Sequence, residues 1–253
     1  MQPNHRYILE KIKELAASDD PMILDYGCGL GEIVEHCREN GIRAFGVENF
    51  YAGANSRQIA GERGLLGDLI HELDDCGGIP FGNGCFDLIV SNQVFEHVED
   101  LETVVEEVAR VLKPGGQLLC LFPSKEIFRE VHCGVPFVHW LPKRTNLRYY
   151  WLLLFRGLGF GSHKAGKSRR VWAADFSRWL NMYTHYRNRG DIKNVFANEF
   201  AACRSLEEDY VSFRLTLRGN GRMAGAVRQP VIGMIARELC RRYGGLVLLL
   251  EKS

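Results

Sequence analysis

The stretch Ile23-Leu-Asp25-Tyr-Gly27-Cys-Gly29-Leu-Gly31-Glu32 decides the fold of this 253-residue chain. A short apolar run ends at Tyr26, three glycines follow at alternate positions, and a helical pattern continues to Asn40. Glycine at such a turn lets the backbone bend sharply and approach a ligand closely, while the next helix N-terminus offers N–H donors. The stretch therefore predicts a strand over Met22–Tyr26, a ligand-binding turn and a helix.

Glu32 helps to decide which kind of ligand the turn receives. The dinucleotide fingerprint G-x-G-x-x-G requires a small residue at position 32, where this chain carries glutamate. A carboxylate beside a pyrophosphate is also electrostatically unfavourable. A nicotinamide or flavin cofactor is therefore the weaker interpretation.

Further short apolar runs alternate with helical patterns along the chain. Because strands that are continuously apolar belong to parallel sheets covered on both faces, we predict an α/β, Rossmann-like, seven-stranded, mostly parallel sheet with helices on both faces. Helices are expected near the N-terminus, after the glycines, over 101–112 and over Val231–Tyr243. The predicted strands are Met22–Tyr26, Ala44–Val47, Leu65–Gly67, Phe86–Ser91, Gln117–Phe122, Asp209–Leu217 and Leu246–Leu250.

Residues 124–200 interrupt this alternation with a segment rich in aromatic and basic side chains. A connection of about 75 residues is much longer than ordinary loops between strands and helices. We therefore predict three parts: a cofactor-binding core over 1–123, a helical and aromatic lid inserted between the fifth and sixth strands over 124–200, and a completing segment over 201–253.

Five motifs at ordered intervals give the chain a family resemblance. They are Asp25-x-Gly-x-Gly-x-Gly31, Glu48 after the second strand, Gly67-Asp68-Leu69, Phe86–Asn92 with its FDLIVSN sequence, and Val111–Gly116. Over roughly residues 20–123 the chain resembles the class I S-adenosylmethionine-dependent methyltransferases. The resemblance implies S-adenosylmethionine as cofactor, with Glu48 on the ribose hydroxyls and Asp68 on the adenine amine. The cofactor-binding residues it implies are Asp25, Gly27, Gly29, Gly31, Glu48, Asp68, Leu69 and Asn92.

His97 is the first candidate catalytic residue, since it follows the fourth strand and faces the expected cleft. A hydroxyl acceptor benefits from a general base, and imidazole suits that role near neutral pH. The segment also resembles that of the ubiquinone-pathway O-methyltransferases, in which Glu-x-x-Glu-His binds a divalent metal. Gln93 replaces the first of those glutamates here, while Glu96 and His97 remain. Because the replacement removes a charge and an oxygen ligand, we predict no metal.

His132 and His139 are the other candidate catalytic residues, within the segment 130–142 that two prolines stiffen. Together with Glu130 they could converge on one pocket, as acid–base or substrate-contacting groups. A hydrogen-bonded structural loop is the alternative interpretation.

The net charge of +1 hides two unlike halves. Residues 1–130 carry 11 basic and 23 acidic side chains, whereas 131–253 carry 21 and 8, and 131–174 contains eight basic residues and no acidic one. We expect this lid to hold an anionic small-molecule or lipid-linked acceptor, with peripheral contact to an anionic membrane as an option. Nucleic acid is the least favoured partner, because the acidic half would repel phosphates.

Eight scattered cysteines without metal spacing, and a polar N-terminus, indicate a cytoplasmic protein that is at most peripheral at a membrane. We therefore predict a methyltransferase acting most readily at a hydroxyl oxygen. N-methylation of a small amine is the first alternative. A non-catalytic, S-adenosylmethionine-binding regulatory protein is the alternative from another class.

Overall fold

The computed structural model describes residues 1–16, 20–51, 55–74 and 76–253. Within these residues one sheet contains seven strands in the order β3-β2-β1-β4-β5-β7-β6. The pairs β1–β2, β1–β4, β2–β3 and β4–β5 are parallel, whereas β7 is antiparallel to both β5 and β6. The strands are β1 Met22–Tyr26, β2 Arg43–Glu48, β3 Ile70–Glu72, β4 Phe86–Asn92, β5 Leu112–Phe122, β6 Phe200–Ser205 and β7 Leu246–Lys252.

Helices cover both faces of this sheet, so the predicted fold class is confirmed. They are α1 Pro3–Leu15, α2 Glu32–Glu39, α3 Ser56–Glu62, α4 Leu101–Val111, α5 Asn146–Gly157, α6 Arg169–Tyr183, α7 Arg189–Glu199, α8 Glu207–Leu217, α9 Gly221–Ala226 and α10 Pro230–Tyr243.

Alternate residues of the central strands feed two separate cores. Ile23 and Leu88 point to the face that α1, α2 and α8 cover, whereas Leu24 and Ile89 point to the face covered by α4 and α7. This alternation is the period of two that a strand imposes on its side chains. Burial on both faces explains why β1 and β4 read as continuous apolar runs.

The predicted strand Asp209–Leu217 is wrong: these residues lie in the helix α8. Three acidic residues, Glu207, Glu208 and Asp209, occupy its first turn, where their negative charges stabilise the helix by interacting with the positive end of its dipole. The alternating apolar residues mislead because Val211 and Phe213 both pack into the α1-side core from a helix. The sixth strand is instead Phe200–Ser205, an edge strand whose residues after Phe200 are exposed.

The predicted third strand, Leu65–Gly67, is also wrong, because β3 begins at Ile70, five residues after Leu65. The backbone N–H of Leu69 donates to the carbonyl of Leu65, and that of Gly67 donates to the carbonyl of Ile70, so these residues form tight turns. Ile70–Glu72 then pairs with Gly46–Glu48 of β2.

The segment between β5 and β6 carries α5, α6 and α7. Helices α5 and α6 build their own small core, which includes the fully buried Trp172 and Leu152. Helix α7 packs on the sheet instead, where the Phe196 ring lies 5.7 Å from that of Phe95. No helix in the described parts of the chain is long and apolar enough to cross a membrane.

Candidate active site

The glycine loop joins β1 to α2 with three residues in left-handed conformations. Gly27, Gly29 and Gly31 have φ of 77°, 56° and 77°, which favour glycine. A Cβ on Gly27 would lie 2.3 Å from Cγ2 of Val94, whereas a Cβ on Gly29 would meet no atom within 4 Å. Gly27 is therefore needed for packing, and Gly29 leaves open space for a ligand.

Glu48 lies at the end of β2 and contacts this loop directly. Its Oε2 accepts the N–H of Gly29 at 2.7 Å, and its Oε1 accepts the N–H of Asn49 at 2.9 Å. Burial raises the pKa of Glu48, although both N–H groups act in the opposite direction. Each oxygen keeps a lone pair beside the open space at Gly29, as a ribose diol requires, so the residues present fit S-adenosylmethionine.

Asp25 lies beneath the loop and is 3% exposed. Burial and the nearby charge of Glu48 raise its pKa to about 8. With the pKa raised in this way, the carboxyl group is protonated at neutral pH and adds no charge to the ligand site.

Asp68 and Leu69 do not lie where the sequence motif put them. Both precede β3 rather than follow it; Asp68 is exposed in a turn, and the carbonyl of Leu69 accepts the N–H of Gly46 at 2.8 Å. Asp74 is a carboxylate that does follow β3, and its Oδ1 accepts the N–H groups of Cys76 and Gly78. Because the third strand was predicted at Leu65–Gly67, the sequence did not indicate Asp74 as the acidic residue that follows this strand.

Asn92 ends β4 and is oriented by helices from distant parts of the chain. Nδ2 of Asn4 donates a hydrogen bond to Oδ1 of Asn92 at 2.9 Å, and the hydroxyl of Tyr210 donates one to Oδ1 of Asn4 at 2.5 Å. Asn4 and Tyr210 were not predicted, because nothing in their local sequence distinguishes them from other polar residues of α1 and α8.

The structure brings two of the predicted catalytic residues together. The ring centroids of His97 and His132 are 4.9 Å apart, and the Trp179 ring lies within 5.8 Å of both. We call His97 and His132 the imidazole pair. Because His97 lies three residues after Val94, which packs on Gly27, the imidazole pair adjoins the segment that borders the cofactor loop.

A hydrogen bond to Nδ1 orients each ring of the imidazole pair. Nδ1 of His97 lies 2.5 Å from the carbonyl of Tyr183, and Nδ1 of His132 lies 2.7 Å from Oε1 of Glu130. Both partners are acceptors, so each Nδ1 carries a hydrogen, and in the neutral form of either ring the lone pair lies on Nε2. Burial lowers the pKa of His97, which favours this neutral form.

Glu130 is fully buried, and its carboxylate accepts several hydrogen bonds. It accepts the backbone N–H groups of His132 and Cys133 and the hydroxyl of Tyr186 in addition to the His132 ring. Burial acts to raise its pKa, but these hydrogen bonds together with His132 lower the pKa to about 2. Glu130 is therefore an ionised support for His132.

Glu96 also lies beside the imidazole pair but, unlike Glu130, its carboxylate accepts no hydrogen bond in the described structure. The residue is 1% exposed, and neither carboxylate oxygen has a hydrogen-bond partner in the described structure. Burial raises its pKa to about 8. Its Oε1 is 3.9 Å from Nε2 of His97, so an unpaired carboxyl group adjoins the imidazole pair.

His139 stands apart from the imidazole pair. Its Nε2 lies 3.2 Å from the carbonyl of Lys125, its ring is 4.9 Å from that of Tyr186, and burial lowers its pKa to about 4. Through Tyr186 it supports Glu130. The expected convergence of Glu130, His132 and His139 therefore occurs for the first two, with His139 behind them.

The lid also reaches the cofactor edge of the sheet. The ring of Tyr51, just after β2, lies 5.4 Å from that of Tyr183, whose carbonyl holds His97. Arg187 donates to the carbonyl groups of Val98 and Glu99, which fastens the end of the lid to the segment after β4.

Comparisons with known proteins bear on the domain and on the fold. Residues 24–120 match the family model described as a methyltransferase domain. The crystal structure of an S-adenosylmethionine-dependent methyltransferase from Mesorhizobium loti superposes with a TM-score of 0.56 and 17% identity, covering 97% of this chain and 96% of that one. At that identity the likeness concerns the fold.

Two curated relatives are 31% identical to this chain. One is the ubiquinone biosynthesis O-methyltransferase of Maricaulis maris, matched over 153 residues that make up 59% of either protein. The other is norajmaline N-methyltransferase of Rauvolfia serpentina, matched over 123 residues that make up 46% of this chain and 42% of the relative. The chain thus spans about half the length of these relatives. The likeness is to the class I S-adenosylmethionine-dependent methyltransferases, and the matched methyltransferase domain lies at residues 24–120 of this chain.

Proposed function

We propose that this chain transfers a methyl group from S-adenosylmethionine to a hydroxyl oxygen of a small-molecule or lipid-linked, anionic acceptor held under the lid. The observation that carries the proposal is the imidazole pair, which lies next to the segment that packs on the cofactor loop. In its neutral form, an imidazole ring of the pair can accept the proton of a hydroxyl group through Nε2.

The chemistry explains why a hydroxyl is favoured. Methyl transfer is a direct displacement, so the protein mainly aligns the acceptor atom and excludes water. S-adenosylmethionine supplies the methyl group when bound. An amine attacks in its neutral form, whereas a hydroxyl gains from a hydrogen-bond acceptor that takes its proton. His97 and His132 offer that acceptor, and Glu130 fixes His132 in position.

The charge of the lid supports an anionic acceptor. Arg144, Arg169 and Arg170 are exposed on it, and residues 131–174 contain no acid that would neutralise them. Arg148 serves the structure instead, since it is buried and donates to the carbonyl of Leu141 and to Asn181. The exposed arginines therefore support the proposal.

One surface feature favours a lipid-linked acceptor. Helix α5 exposes an apolar stripe formed by Leu147, Tyr150, Leu154 and the adjoining Leu158, each more than half exposed. Anionic vesicles should bind the protein, and binding should weaken with salt because screening reduces the attraction to the arginines. Replacing Leu147 and Leu154 by Asp should abolish sedimentation with vesicles.

Helix α10 offers a matched control for that experiment, because its Ile232 and Ile235 are exposed to a similar degree. The same replacements there should leave sedimentation intact. Loss of binding only in the α10 variant would refute a membrane contact through the lid.

Incubation with labelled S-adenosylmethionine and cell extract tests the reaction. We expect one acidic product whose methyl group is on oxygen by NMR. Replacing His97 by Ala should slow transfer by about 10²-fold or more while S-adenosylhomocysteine still binds. His163→Gln is the control, since His163 is an exposed histidine of the lid outside the imidazole pair. A methyl group on nitrogen or carbon would refute the choice of atom, and cofactor binding without any labelled product would favour the non-catalytic alternative.

A further inference from the structure

An open pocket of about 410 Å³ lies on the lid, between two segments that are well separated in the sequence. One wall is Arg129, and the other is the loop after α5, with Leu158, Gly159, Phe160, Gly161 and Lys164. We propose that this pocket binds a phosphate monoester group, carried as the headgroup of a lipid. The inference deepens the proposed function and rests on it for the statement that the bound lipid is the methyl acceptor.

Backbone contacts hold the two walls of the pocket together. Arg129 begins a hairpin over 129–136 and pairs with Pro136 in an isolated antiparallel bridge. In the loop after α5, the N–H of Ser162 donates to the carbonyl of Cys133 in this hairpin at 2.8 Å. The pocket therefore has its shape before a ligand arrives, and less conformational entropy is lost on binding.

The two cations of the pocket are free to receive an anion. Nε of Arg129 donates to the carbonyl of Gly134 at 2.8 Å, and Nζ of Lys164 donates to the carbonyl of Gly159. Neither side chain has a carboxylate at ion-pair distance among the described residues, and each has further N–H donors. A phosphate monoester carries about 1.5 to 2 negative charges at pH 7, so it matches two positive side chains.

Leu158 belongs both to this pocket and to the apolar stripe of α5. It is 65% exposed, and the stripe continues from it through Leu154, Tyr150 and Leu147, which share one face of the helix. A molecule with a charged head and an apolar tail can place its head beside the two cations and its tail along the stripe. A soluble phosphate would use only the first of these surfaces, so their contact at Leu158 favours a lipid.

The hairpin over 129–136 also connects the pocket to the imidazole pair. Arg129 lies next to Glu130, whose Oε1 is 2.7 Å from Nδ1 of His132. A headgroup bound at Arg129 is thus anchored to the short element that carries one ring of the pair. Such anchoring at a distance from the reacting atom is a means of aligning an acceptor for direct displacement.

Calorimetry of the full chain with two probes tests the pocket. Glycerol phosphate and dihexanoyl phosphatidic acid share the phosphate monoester and differ in their apolar tails. We expect both to bind, and the lipid to bind at least about tenfold more tightly, because its tails bury apolar surface at the stripe.

Variants of the pocket should separate the charged part from the apolar part. Arg129→Gln and Lys164→Gln should each weaken both probes by about tenfold or more, because each removes charge-assisted hydrogen bonds. Leu158→Asn should weaken the lipid about tenfold and leave glycerol phosphate unchanged.

Lys167 supplies a control that is matched in charge and position. Its Nζ lies 2.7 Å from Oδ2 of Asp175, and it does not line the pocket. Lys167→Gln changes the net charge by as much as Lys164→Gln, so a diffuse attraction to the basic lid would weaken equally in both. We expect Lys167→Gln to bind both probes as the wild type does. S-adenosylhomocysteine affinity, measured on every variant, verifies the fold.

Three results would overturn the inference. They are no binding of either probe at millimolar concentration, equal weakening in Lys164→Gln and Lys167→Gln, and equal affinity for the two probes, which would show a soluble phosphate rather than a lipid as the ligand. Because neither probe reports on methyl transfer, the two proposals fail separately. Phosphate binding together with methylation on nitrogen would refute only the choice of atom, whereas O-methylation without phosphate binding would refute only the pocket.

Discussion

Replacing Asp25 by Asn should change how the stability of the protein depends on pH. Burial and the charge of Glu48 raise the pKa of Asp25 from its ordinary value of 3.8 to about 8. Between these values the folded chain holds a proton at Asp25 that the unfolded chain has lost. The free energy of unfolding of the wild type therefore falls as pH rises through this window, by up to about 1.4 kcal/mol per pH unit from this residue.

Urea unfolding of the cofactor-free protein at pH 5, 6 and 7 measures this effect. The stability of Asp25→Asn relative to wild type should rise by about 3 kcal/mol from pH 5 to pH 7, because asparagine does not titrate. Any cost of placing the amide there is independent of pH and drops out of the slope. Other titrating groups are common to both proteins and cancel.

Asp87 on β4 supplies a control carboxylate with the opposite shift. Burial acts to raise its pKa, but Lys113 and the backbone N–H of Met22 lower it below the ordinary value. Its titration is therefore complete below pH 5, and the difference between Asp87→Asn and wild type should be flat from pH 5 to pH 7. A slope for Asp25→Asn as flat as that of the control would refute the reasoning.

Other replacements test the cofactor loop and the lid. Gly27→Ala should destabilise the protein by about 1–3 kcal/mol in urea and weaken S-adenosylhomocysteine binding at least tenfold, because φ is 77° and the new Cβ would clash with Val94. In Gly29→Ala the new Cβ meets no atom within 4 Å, so this variant should lose cofactor affinity with a smaller loss of stability than Gly27→Ala. Equal losses of stability in the two variants would show that the predicted clash with Val94 does not occur. Trp172→Ala should cost about 3–5 kcal/mol of lid stability and open residues 124–200 to limited proteolysis, with unchanged protease resistance as the contrary result.

Local pattern was enough to predict most of the sheet. Strands β1, β4 and the end of β5 are buried on both faces, so their sequences are apolar at most positions and easy to recognise. The failures lie at the edges of the sheet, where burial is incomplete. Strand β6 consists largely of small or polar exposed residues, and α8 has an apolar alternation that only its contacts with α1 and α10 reveal as helical.

The candidate site divides in the same way. Gly27, Gly29, Glu48 and His97 could be predicted from the sequence because each lies at or shortly after a strand end within a short motif. Asp68 was misplaced because a five-residue error in the strand moved the motif along the chain. The prediction that no metal binds rested on Gln93 and stays a prediction, and local pattern contains no measure of the distance from His97 to His132.

By itself the sequence determined the class of fold, the glycine loop and the acidic residue beside it, since each depends on neighbours within a few positions. Tertiary structure alone decided that His132 lies next to His97, that Glu130 holds His132, and that Asn4 orients the end of β4. These contacts join residues between two and about ninety positions apart, and side-chain direction, which local pattern leaves open, determines whether they meet. For that reason the cofactor follows from the order of motifs, whereas the chemistry at the acceptor depends on how the lid folds over them.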